Sequence, residues 1–131
     1  MGKILGSTDS AFCQQNVNFD YTSALVTQAF YVANRVSKVV DIRGRPRVAG
    51  SDGSAVTIAV YKVPNGVAVA NGTLLHSGTY DLKGTADTNQ VLTLVGNQDA
   101  LTLQAGDAIG YVLTGTATAA VGTFSVTLEP V

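Results

Sequence analysis

The chain has 131 residues, of which 46% are hydrophobic and only 13% charged, a balance that suits one domain with a real core and excludes a disordered, highly charged chain. Its net charge of −1 argues against a nucleic-acid binder, and no apolar run approaches the roughly 20 residues of a membrane helix. Cys13 is the only cysteine, which excludes an intrachain disulfide and a multi-cysteine zinc site.

Residues 1–23 read as an N-terminal arm with a short strand at Val17, Phe19 and Tyr21. Ile4, Leu5, Phe12, Val17 and Phe19 make this arm too apolar for a solvated tail, so it is expected to lie on its own domain, a neighbouring subunit or a foreign surface. It has no apolar core of the secretory-signal kind, which points to a soluble protein made in a reducing cytoplasm. The rest, residues 24–131, reads as one β-domain.

Residues 24–43 offer a helical face through Leu25, Ala29, Ala33, Val36 and Val40. Their density in Val, Ile, Phe, Tyr and Thr favours instead two strands, about 26–33 and 35–43. Val56, Ile58 and Val60 then alternate with Ala55, Thr57 and Ala59, the period of a half-buried strand. Pro64-Asn65-Gly66 and Asn71-Gly72 are turn signals. Strands are expected over 74–82 and 90–95, around Ile109, Tyr111 and Leu113, and over 123–131, where Phe124, Val126 and Leu128 alternate with Ser125, Thr127 and Glu129. Seven or eight short strands about ten residues apart predict an all-β, antiparallel two-sheet sandwich with jelly-roll or Greek-key wiring. With few aromatics and no Trp, its core is expected to be Val, Leu, Ile and Ala, the five tyrosines lying in the core or at its edges.

The inventory for catalysis is thin. His76 is the sole histidine and lies outside any nucleophile elbow, so a rim histidine bonded to backbone or water is expected. Asp81, Asp87, Asp99 and Asp107 sit beside Gly, Thr or Asn, where aspartate caps turn amides, and no calcium-loop spacing is present. The GSDGS stretch lacks the Lys and the helix of a phosphate loop. No catalytic residue, cofactor or metal is therefore assigned.

Charge is segregated along the chain. Residues 1–50 carry six basic and three acidic groups, and residues 51–131 carry two basic and six acidic. The sharpest feature is RGRPR, residues 43–47, whose Arg43, Arg45 and Arg47 fall on one side of an extended segment. Pro46 marks an edge or a bulge. The row suits carboxylates of a protein partner, a solvated edge that blocks aggregation, or, less well without interleaved aromatics, phosphates.

The run AGSDGSAVTIAVYKVPNG, followed by GTLLHSGTYDLKGTADTNQVLTL and LQAGDAIGYVLTGTATAAVGTFSVTL, resembles small phage and prophage virion proteins over about residues 47–129. The resemblance implies a jelly-roll decoration or cement protein on the outer surface of a phage head, with the major capsid protein and further copies of itself, as dimer or trimer, for partners. The interface expected from the residues is Ile4, Leu5, Phe12, Val17 and Phe19 of the arm with Arg43, Arg45 and Arg47. A host-surface carbohydrate-binding module and a tail or baseplate protein are the alternatives.

Overall fold

A computed structural model of the chain describes residues 14–131. It is an all-β, antiparallel two-sheet sandwich, as the strand spacing predicts. The strands are β1 (Gln15–Tyr21), β2 (Gln28–Val32), β3 (Ser37–Val48), β4 (Thr57–Val63), β5 (Thr73–Leu74), β6 (Tyr80–Asp81), β7 (Gln90–Val91), β8 (Thr102–Leu103), β9 (Ala108–Thr114) and β10 (Val121–Pro130). One sheet runs β1-β10-β3-β7 with β8 also on β3; the other runs β2-β9-β4-β5 with β6 also on β4. Counting β5/β6 and β7/β8 as one interrupted position each leaves two four-position sheets between which the chain passes back and forth. That is jelly-roll wiring.

Period-2 patterning decides the facing. Val56, Ile58 and Val60 are fully buried while Thr57 and Ala59 are half-buried, and Phe124, Val126 and Leu128 are buried along β10. The 24–43 segment forms β2 and β3, and β3 runs on through the arginine-rich stretch to Val48. Two expected strands come out broken: 74–82 keeps only β5, a bridge at His76 and β6, and 90–95 keeps β7 and a bridge at Leu94.

The core differs from the aliphatic one expected. Its largest fully buried side chains are Tyr21, Tyr80, Tyr111 and Phe124. Tyr21, on β1, and Tyr80, on β6, join the two sheets through an Oη···Oη hydrogen bond of 2.7 Å, and burial pushes both phenols above their ordinary pKa. Phe124 packs edge-on against Tyr80, with ring centroids 5.2 Å apart. Tyr80→Phe is expected to cost about 1–2 kcal/mol, because the Tyr21 hydroxyl stays buried without its partner. The double variant Tyr21→Phe/Tyr80→Phe, which removes both hydroxyls, is expected to lie closer to wild type in urea titrations than Tyr80→Phe alone.

Of the residues read as an arm, 15–21 form β1, paired with β10 in unbroken register from Gln15↔Leu128 to Tyr21↔Gly122. Val17 and Phe19 pack against the core, and Phe19 lies 5.0 Å from Tyr111 and 5.4 Å from Phe30 between ring centroids. Among the described residues, β1 is therefore a strand of the sandwich and not a separate arm. Ile4, Leu5, Phe12 and Cys13 lie outside the described residues.

Candidate functional site

The outer face of the β1-β10-β3-β7 sheet is built from the polar half of the same alternations that make the core. β1 contributes Asn16, Asn18 and Asp20; β10 contributes Thr123, Ser125 and Thr127; β3 contributes Asp41, Arg43, Arg45 and Arg47. The row of three arginines is exposed, as its spacing predicts.

Its setting is not a solvated edge. β3 lies inside the sheet, with β10 along one side and β7 and β8 on the other, so the edge-protection reading of RGRPR is corrected. Pro46 sits at a bulge, where β3 has one extra residue, Arg47, between the pairs Gly122↔Pro46 and Val121↔Val48. The Pro46 carbonyl accepts from the Asp87 N–H at 2.7 Å. In a strand the N and C=O of one residue point the same way, so the missing Pro46 N–H faces the 85–89 loop and leaves the ladder to β10 intact.

The arginines are not equivalent. Arg43 is held by Asp41, two residues back on the same strand face, through Nε–Oδ2 at 2.6 Å and Nη2–Oδ1 at 2.9 Å. That hydrogen bond and the neighbouring negative charge raise the Arg43 pKa further. Arg45 reaches Asn89 Oδ1 at 3.4 Å, and among the described residues Arg47 has no ion pair within reach. The cations available to a partner are therefore Arg45 and Arg47. They line a depression of about 360 Å³ with Asp20, Asp87 and an apolar floor of Pro46 and Val121. A second depression of about 510 Å³, lined by Asn16, Asn18, Asp41, Arg43, Ser125 and Thr127, continues along the face. A smaller hollow joins them, sharing Arg45 and Thr123 with the first and Arg43 and Ser125 with the second. The whole is a shallow polar trough along the outer face of the sheet. It supplies charge and hydrogen bonds, and its nearest paired groups of opposite sign, Asp41 and Arg43, already bind each other.

His76 and several of the turn aspartates serve the fold. His76 is fully buried, not at the rim. Its Nε2 accepts from the Val60 N–H at 2.9 Å, which places the proton on Nδ1, donating to the Ser77 carbonyl at 3.0 Å. Both ring nitrogens are thus taken by backbone, as expected for a structural histidine, and burial lowers the imidazole pKa below its ordinary value. Asp81 accepts from the Lys83 N–H at 2.8 Å and Asp107 from the Gln104 N–H at 2.9 Å, the turn-capping role expected of them. Asp87 occupies the left-handed region with φ 59°, and Asp99 donates its N–H to the Asn97 cap of the short helix α1 (Gln98–Leu101). Among the described residues, no three His, Cys, Asp or Glu side chains come together as a metal site would require.

Sequence reasoning brought the three arginines together correctly and missed the trough beside them. A signal for the Arg43 tether was present: Asp41 lies at i−2, the same-face neighbour on a strand. Asn16, Asn18, Thr123 and Ser125 carry no comparable local mark, since only the β1-β10-β3 order makes them neighbours. No protein-family model, no curated protein and no solved structure matches the chain.

Proposed function

We propose that the chain is a decoration or cement protein of a phage head, seated on the outer capsid surface and stabilising the shell by bridging capsid subunits. The observation that carries this reading is the pair Arg45 and Arg47, exposed on an interior strand and set over an apolar floor in a continuous polar trough. A joint under tension needs groups that do not move when pulled, and an interior strand paired on both sides meets that need. Two guanidiniums over apolar ground suit acidic loops of a protein partner, because bidentate carboxylate contacts are strong where water is displaced. The resemblance of residues 47–129 to phage virion proteins points the same way.

The test is binding of the purified full-length protein to capsids that lack it, followed by cosedimentation. Arg45→Ala/Arg47→Ala is expected to weaken binding about tenfold or more and to flatten its salt dependence, since the long-range part of the attraction between these charges and an acidic partner is screened by salt. Arg43→Ala is expected to change it little, because Asp41 already holds that side chain. Equal binding by the double variant at low salt removes the arginines from the interface, and absence of the protein from purified particles overturns the reading.

A carbohydrate-binding role is favoured by one feature only, the amide- and hydroxyl-rich second depression. Specific hits on a glycan array, with no affinity for capsids, would put that reading first.

A further inference from the structure

Of the sheet edges, one differs from the rest. β5, β6, β7 and β8 are two residues long, and β2 is five residues long with a register shift between Ala29 and Tyr31. β1 is seven residues long and regular throughout. Its sequence, QNVNFDY, contains no proline, lysine or arginine and only one charge, Asp20. Among the described residues nothing pairs with its outer side. Proteins ordinarily blunt an edge with short strands, bulges, proline or lysine, and β1 has none of these devices while the other edges do.

The surface beside this edge is apolar as well. Val17 and Phe19 on β1 and Phe30 and Tyr31 on β2 are only half-buried, although they pack on the core. Val26, just before β2, and Val32, its last residue, are 59% and 64% exposed. Among the described residues, the open side of the sandwich thus presents a long strand paired on one side only, above a rim of half-covered aromatic and branched side chains.

We infer that β1 is the site of self-association: two copies pair their β1 strands antiparallel about a twofold axis at Asn18, joining two sheets into one. Full overlap of the seven residues sets Asn18 opposite its own copy, Val17 opposite the second copy's Phe19, and Asn16 opposite its Asp20. Each contact is of a favourable kind: a branched–aromatic pair, an amide facing a carboxylate, and an amide facing an amide. A parallel arrangement in register would instead set Asp20 beside Asp20, a like-charge pair. Charge and register together therefore select a second copy in the antiparallel sense, and a twofold contact closes on itself without growing into a fibre. Neither a capsid nor the arginine row enters this pairing, so it stands or falls apart from the function proposed above.

The test places charge at the axis. Asn18 is exposed on β1, facing Ser125 of β10, so substitutions there leave the core untouched. Sedimentation equilibrium of the full-length protein is expected to show a dimer. Asn18→Lys and Asn18→Asp are each expected to weaken it about tenfold or more, because each sets like charges directly opposite. An equimolar mixture of the two variants is expected to recover a dimer at least as tight as wild type, which also shows that both are folded. A wild-type chain that stays monomeric at millimolar concentration, a variant that dimerises as tightly as wild type, or a mixture that stays monomeric would each overturn the inference.

Discussion

Gly44→Ala is expected to destabilise the sandwich by about 3 kcal/mol, near the upper end for overpacking a core. Gly44 lies on the inner face of β3, and a Cβ there would come within 2.5 Å of Tyr80 Cε1, 2.9 Å of Tyr80 Cζ and 3.0 Å of Phe124 Cδ1. Neither ring has room to retreat: Tyr80 is fully buried and tied to Tyr21, and Phe124 is 1% exposed. Gly122, on the neighbouring β10, makes the matching space for Tyr21, since a Cβ there would press on the Tyr21 hydroxyl and lie 2.6 Å from the Arg45 carbonyl. Two glycines thus hollow the inner face of one sheet to admit a tyrosine pair from both. For a domain of this size the loss corresponds to about 10 °C in Tm. Combining Gly44→Ala with Tyr80→Leu is expected to cost clearly less than the sum of the two changes, because the smaller side chain vacates the space that the new methyl needs. Strict additivity in urea titrations would show that the clash is not the cause.

The second large effect belongs to His76. Between β5 and β6 the chain leaves the β4 ladder, and the imidazole takes the place of the missing strand by accepting the Val60 N–H. His76→Ala is expected to cost about 3–4 kcal/mol, combining a cavity with an unpaired buried N–H. The same geometry imposes a pH dependence. A protonated Nε2 would point a donor at a donor, and burial already disfavours the charge, so the folded-state pKa lies below the ordinary 6.5. Below that value the unfolded chain takes up a proton that the folded chain refuses. Stability is therefore complete above about pH 6.5, falls as the pH drops beneath it, and stops falling from this cause once the folded-state pKa is passed. His76→Gln keeps a side-chain acceptor without the titration. It is expected to lose less stability than His76→Ala and to flatten the decline between about pH 6.5 and pH 5, measured by chemical denaturation at each pH. A decline that survives His76→Gln unchanged would assign the acid sensitivity elsewhere.

The two effects share an origin. Both lie where the sandwich departs from regular strand pairing or regular strand composition, at an interrupted position and at glycines within strands. The trough lies on the other face of the same strands. Arg43 and Arg45 flank Gly44, so the inward tyrosine packing fixes the backbone from which the arginines project. Loosening the core at Gly44 is thereby expected to disturb the outer face as well.

Local pattern determined a good deal of this protein. Alternation over 55–60, 109–113 and 124–128 sufficed to place strands and to say which side chains face inward, because a strand's two faces are set by parity alone. The same parity put Arg43, Arg45 and Arg47 on one exposed row, and the strand-rich composition of 24–43 outweighed its helical face. Tertiary structure decided what parity leaves open. Whether β3 is an edge or an interior strand depends on partners 40 and more residues away, in β7, β8 and β10. The tyrosines became the core because glycines at 44 and 122, one far from Tyr21 and Tyr80 in sequence and the other farther still, leave them room. His76 became a buried stand-in for a strand, and not a rim residue, because only the assembled sheet leaves the Val60 N–H in need of an acceptor. Facing is a local property of the backbone, whereas adjacency and the satisfaction of buried polar groups belong to the packed whole.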